Sequence, residues 1–287
     1  MRRPGARGQL SGAAAGASTR LRIALFTLES AISDAAVAAL LRGPVGERVV
    51  LPGRSVPRNP ALETWRHLRR LGPRLLPYLA VNYALPRWAG AVRRMAGGGP
   101  GTVAAAAAER GIPLRDLAAV NGPVAAATIR AALPDLLLTC HFDQILSAAT
   151  IALAPLGGIN LHPSLLPRHR GPVPTIWALA EDPPAFGVTV HRLVPRIDAG
   201  AILAQAAVAL PPGTTASAAA RALHLAGVPL LERVVAALEA GEAAEREVAP
   251  LPYRPFPPAA LLRALRRRGG RTVDLRDLWA ALRRAAG

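Results

Sequence analysis

Three residues in the second half of this 287-residue chain, Asn160, His162 and Asp198, are of the types that acyl transfer needs. A carboxamide can donate to a developing oxyanion, an imidazole can carry a proton near neutral pH, and a carboxylate can orient that imidazole. Asn160 and His162 end an apolar run and lie two residues apart, which places both on one face of a strand. Asp198 follows in the loop Ile197-Asp198-Ala199-Gly200. Each residue also has a plain structural reading, as a turn-forming Asn, a hydrogen-bonded His and a turn Asp. Pro163, Pro167, Pro172 and Pro174 stiffen the segment after His162, and Gly171 suits a close backbone approach. His162, His169 and His191 follow neither the HExxH pattern nor a Cys-rich one, so no metal is expected.

The elements that must position these residues can be read from apolar periodicity. Strands are expected at 21–27, 47–51, 135–140, 158–161, 187–193 and 201–210. Helices are expected at 33–42, 102–110, 122–133 and 214–240. A further helix is expected from the Asn59-Pro60 start to Gly72, with Leu62, Trp65, Leu68 and Leu71 on one side and arginines on the other. Pro77 and Pro86 are expected to cut the apolar stretch 75–88, and 97–101 (GGGPG) reads as a linker. Strand and helix in alternation imply an α/β fold with a mostly parallel sheet, later strands joining antiparallel. Ligands of such sheets collect beyond the carboxyl ends of the strands, where Cys140, His141, His162 and Asp198 fall.

Composition bounds the rest. All 35 basic residues are Arg, the formal net charge is +17, and the excess is peripheral. Residues 1–22 hold five Arg and no acid, 54–94 nine Arg and one acid, and 254–287 nine Arg and two acids. Such a periphery can attract nucleic acid, anionic lipid or a phosphorylated substrate, or be a solvated Arg-rich surface. No apolar run reaches the roughly 18 residues that a membrane span requires. Cys140 is the only cysteine, which excludes an internal disulfide and fits a reducing compartment. Residues 1–20 read as a flexible basic tail without a signal-peptide core, and a cytoplasmic location is expected.

Four ordered segments, ERGIPLRDLAAVN, LPDLLLTCHFDQIL, INLHPSLLPRHRGPVPTIWAL and GVTVHRLVPRIDAGAILAQ, cover roughly residues 102–210. Together they resemble the folate-dependent formyltransferase family, which includes glycinamide ribonucleotide, methionyl-tRNA and sugar-nucleotide formyltransferases. The resemblance implies a Rossmann-like formyltransferase fold with a short C-terminal extension, and 10-formyltetrahydrofolate as co-substrate without a metal. It implies that Asn160 and His162 contact the oxyanion, while Asp198 holds the imidazole and an ordered water and favours imidazole protonation. It also implies pterin contacts, largely through backbone, at Thr139, Cys140, His141, Phe142, Ile145 and Leu146, and at Val194, Ile197 and Gly200. His141 and Asp143 make that first loop more polar than the family pattern.

The expected organisation is a catalytic domain over 21–245, containing a basic helical insertion and linker at 54–101, followed by the extension 246–287. The loop after the first strand, TLESAISDAA, lacks the Gly-Ser-Asn phosphate loop of the glycinamide ribonucleotide enzymes. The length after Asp198 leaves no room for the C-terminal barrel of the tRNA enzymes. The expected acceptor is therefore a small amine, such as an amino-sugar nucleotide or another phosphorylated amine, with nucleic acid the less favoured partner. The alternatives are methionyl-tRNA formyltransferase-like activity, 10-formyltetrahydrofolate hydrolysis, and a noncatalytic folate- or RNA-binding role. Tyr253 and Phe256 either pack over the core or line the acceptor site. The 54–94 segment is the candidate for acceptor selection, a lid or dimer contacts.

Overall fold

A computed structural model describes residues 20–56 and 73–286; the basic tail and the helix expected over 59–72 lie outside them. Seven strands form one sheet: β1 Ile23–Thr27, β2 Val49–Ser55, β3 Arg115–Leu117, β4 Leu136–Cys140, β5 Gly158–His162, β6 Gly187–Arg192 and β7 Ile202–Ala207. Their spatial order is β3-β2-β1-β4-β5-β6-β7. The first five run parallel, and β6 and β7 add antiparallel. The helices are α1 Asp34–Arg42, α2 Leu85–Met95, α3 Thr102–Glu109, α4 Pro123–Ala132, α5 Pro174–Leu179, α6 Ala216–Ala240, α7 Ala259–Arg267 and α8 Leu275–Ala286, with shorter helical turns between them. The expected α/β architecture with a mostly parallel sheet is the one observed.

The central strands are apolar because both faces of the sheet are covered. Leu136, Leu138, Ile159 and Leu161 pack with α1, α3 and α6 on one side. Leu137 joins Phe26, Leu51, Ile129 and Leu146 on the other. Burying each such side chain contributes about 1.5–3 kcal/mol. The 25-residue helix α6 lies close on β5 because position 227 is Gly: a Cβ there would stand 2.5 Å from Leu161 Cδ1. That contact fixes the strand that ends in His162.

Three elements differ from expectation. A 3-10 turn occupies Pro44–Arg48, and β2 runs on through Pro52 and Gly53, two residues that usually mark turns. Gly53 permits this because its missing Cβ leaves room for Phe26 and Leu117, which would otherwise lie within 3 Å. The short edge strand β3 has two exposed residues and no apolar signal. Pro77 and Pro86 do not break the 73–95 segment. Each sits in the first turn of a helical piece, where the lost N–H costs little, and the π-helical turn Ala80–Ala84 absorbs the junction.

The extension folds back on the core. Ala281 of α8 is buried with Ala31 and Val81, and Leu85 and Leu278 pack against them. Asp277 is buried, accepts the Thr215 hydroxyl at 2.8 Å and pairs with Arg221. Among the described residues no helix is long and apolar enough to cross a membrane.

Candidate active site

β4, β5 and β6 deliver the central groups in register: Thr139 lies opposite Asn160 on one side, and His191 opposite it on the other. Asn160 uses both neighbours. Its Oδ1 accepts the Thr139 hydroxyl at 2.7 Å, and its Nδ2 lies 3.0 Å from His191 Nε2. His191 Nδ1 faces the Arg192 carbonyl at 2.8 Å. A carbonyl only accepts, so that nitrogen carries the proton and Nε2 receives the Asn160 amide. The amide is thereby oriented, and its second N–H is left to donate elsewhere.

His162 closes β5 and is buried. Its Nε2 donates to the His169 carbonyl at 3.2 Å, while Nδ1 stands 3.6 Å from Asp198 Oδ1. The same oxygen is 3.6 Å from His191 Nε2. Asp198 Oδ2 accepts the Gly171 N–H at 2.8 Å, and Asp198 itself has a φ of 46°. The loop holding it is pinned by buried Arg170, whose Nε donates to the Ile197 and Asp198 carbonyls at 3.0 Å each. Asn160, His162 and Asp198 therefore converge, and His191 completes the cluster.

Burial would raise the Asp198 carboxyl, but the facing His162 and His191 imidazoles and the Gly171 N–H outweigh it and bring it down to about 2. For His162 the balance runs the other way. Burial pulls the imidazole below its ordinary value, and the Asp198 carboxylate pushes back without overcoming it. At neutral pH an ionised Asp198 faces a neutral imidazole. Asp198 acts in the expected direction, favouring imidazole protonation, but desolvation of the cation is the larger effect.

The residues expected around the pterin divide. Thr139 is buried and serves Asn160. The Cys140 thiol lies in the core, where burial pushes it up to about 12, and the Leu146 side chain is also in the core. Only their backbones can meet a ligand. Phe142 tilts against Phe26, with ring centroids 5.8 Å apart. Ile145 and Val194 are exposed. The Ile197 carbonyl is taken by Arg170, and Gly200 is required because a Cβ would lie 2.1 Å from the Arg192 carbonyl oxygen.

His141 has a φ of 52° and is enclosed by hydroxyls. Its Nδ1 is 3.0 and 2.8 Å from the Ser30 and Ser33 hydroxyls, and its Nε2 is 3.1 Å from the Tyr83 hydroxyl. Burial and the neighbouring His224 pull it down to about 3. His191 and Arg170 contact the cluster, and sequence reasoning gave neither a place in it. The signal for His191 is its opposition to Asn160, which only strand register reveals. Among the described residues no group of His, Cys, Asp and Glu is arranged to hold a metal ion.

Residues 83–235 match the family model described as Formyl transferase. Similar solved structures include a sugar N-formyltransferase from Shewanella sp FDAARGOS_354, at 17% identity over 92% of this chain and 87% of that one, with a TM-score of 0.52. A glycinamide ribonucleotide transformylase 1 from Symbiobacterium toebii matches at 18% identity over 80% and 95%, with a TM-score of 0.53. A 4-N formyltransferase from Francisella tularensis matches at 13% identity over 92% and 87%, with a TM-score of 0.51. At these identities the likeness is one of fold.

Proposed function

Since the chain belongs to the formyl transferase family and is thus a formyl-transferring enzyme, we propose that it moves the formyl group of 10-formyltetrahydrofolate to a primary amine of a small acceptor. The convergence of Asn160, His162 and Asp198 carries this reading. The folate supplies an activated formyl group. Exposed Ile145 and Val194 and the partly buried Phe142 give an apolar edge suited to its ring, with backbone groups of 139–146 and 194–200 as the expected hydrogen-bonding partners.

In this reading the unspent N–H of Asn160 donates to negative charge on the formyl oxygen as the amine attacks. The neutral His162 receives the proton that the attacking amine sheds, at Nδ1, where Asp198 stabilises the imidazolium 3.6 Å away. The same proton then goes to the departing nitrogen, so the imidazole ends the cycle neutral. His191 and Thr139 hold the amide, Gly171 holds the carboxylate, and Arg170 holds the backbone of the loop that carries it.

A fold neighbour of comparable length is a sugar N-formyltransferase, so an amino sugar is the first acceptor class to test. Tetrahydrofolate release is to be followed with a panel of amines and without any. Release that depends on an amine supports the reading; release without amine means hydrolysis, and no release under any condition overturns it.

A further inference from the structure

Two paired helices leave large apolar side chains open. α2 and α8 lie against each other, and Leu85 of one and Leu278 of the other pack on the cluster of Ala31, Val81 and Ala281. Away from that contact, Trp88 and Met95 of α2 are 64% and 80% exposed, with Val92 exposed between them. On α8, Leu275 and Trp279 are 74% and 61% exposed. Trp88, Val92 and Met95 follow helical spacing, as do Leu275 and Trp279, so each set forms one stripe along its helix. Tryptophan is well covered on average in folded proteins. Two this open on adjoining helices mark a surface that meets an apolar partner.

The charge beside these stripes has one sign. Arg87 and Arg94 are exposed on α2, each just before a stripe residue, and Arg276 and Arg283 are exposed on α8. None of the four has a carboxylate partner among the described residues. α2 contains no acid, and the one acid of α8, Asp277, is buried against Arg221. This pattern chooses among occupants. A second copy of the chain would set the same arginines against each other across a two-fold axis with no acid to pair them. A nucleic acid would take the arginines and stack on the tryptophans, and would leave Val92, Met95 and Leu275 in water. An anionic bilayer uses every part: phosphates take the guanidiniums, the indoles settle at headgroup level, and the aliphatic side chains enter the acyl boundary.

We propose that the open faces of α2 and α8 dock the protein peripherally on an anionic phospholipid surface, with Trp88 and Trp279 as interfacial anchors and the flanking arginines on lipid phosphates. Neither helix is long and apolar enough to cross a bilayer, so each lies in its surface. Arg in place of Lys suits this contact, because the planar fork binds two phosphate oxygens at once. The docking is independent of the proposed reaction and is read without turnover.

The test is co-sedimentation of the full chain with vesicles of phosphatidylcholine alone and of equal parts phosphatidylcholine and phosphatidylglycerol. Brominated phosphatidylcholine in the same vesicles reads insertion by quenching tryptophan fluorescence. Binding to the anionic vesicles is expected, falling as salt rises, with quenching by the brominated lipid and little binding to the neutral vesicles. The pair Trp88→Ser and Trp279→Ser should weaken vesicle binding about tenfold or more and remove most of the quenching. The pair Arg87→Gln and Arg94→Gln should weaken it about tenfold or more. These side chains are exposed, so the core is untouched; should circular dichroism show a variant to be unfolded, quenching in the unsubstituted chain decides. Absence of vesicle binding or of quenching overturns the proposal, as does binding that the tryptophan pair leaves unchanged. A tryptophan-dependent dimer in sedimentation velocity gives the face to a second copy and also overturns it. So does tryptophan-dependent binding of polyuridine without binding of vesicles, which gives the face to nucleic acid.

Discussion

The backbone N–H of Gly171 donates to Asp198 Oδ2 at 2.8 Å, at a residue whose φ of +129° and crowded surroundings exclude a side chain. One glycine thus sets the carboxylate opposite His162 and leaves room for the backbone of Arg254 and the ring of Tyr253. Gly171→Ala combines an unfavourable backbone conformation with a Cβ pressed 2.1 Å from the Arg254 carbonyl oxygen. It should cost about 1–3 kcal/mol and lower turnover more than donor affinity. Chemical denaturation and steady-state rates check both.

Asn160→Ala removes the donor held between Thr139 and His191. Turnover should fall by about 10²–10³ while donor affinity changes little. A loss confined to donor affinity would assign the amide to binding and not to charge stabilisation.

Asp198 raises the His162 imidazole against the larger opposing effect of burial. Removing that charge in Asp198→Asn should therefore lower the imidazole further. The acid limb of the rate profile should move to lower pH as the maximal rate drops, because the imidazolium loses its counter-ion. An acid limb that moves to higher pH contradicts this.

His141 and His224 are held at about 3 and about 4, below the ordinary imidazole value of 6.5, with burial the leading cause for each. Their folded-state values are depressed, so the unfolded chain binds more protons as the pH falls. Stability is full above about 6.5 and is lost progressively toward about 3. The buried Nε2 of His224 has no partner among the described residues, and His224→Gln should flatten this acid loss when denaturation midpoints are compared across pH.

The sheet and the trio were legible in the sequence because their signals are local. Apolar runs such as 136–140 mark strands covered on both faces, and the two-residue spacing of Asn160 and His162 survives folding unchanged. What escaped depends on contacts far apart in the chain. His191 meets Asn160 through antiparallel register, β2 continues through Pro52-Gly53 because Phe26 and Leu117 close over it, and Tyr253 reaches Gly171 because Arg170 ties down Leu251. The net balance at His162 is hidden for a related reason. Sequence shows the neighbouring acid, but the depth of burial that outweighs it appears only in the fold.

The most direct measurement of the central claim is amine-dependent tetrahydrofolate release by His162→Ala beside the unsubstituted enzyme, with donor binding measured on the same preparations. The expected result is a variant that binds donor and does not turn over. A His162→Ala enzyme that binds donor and keeps a near-normal rate contradicts the account.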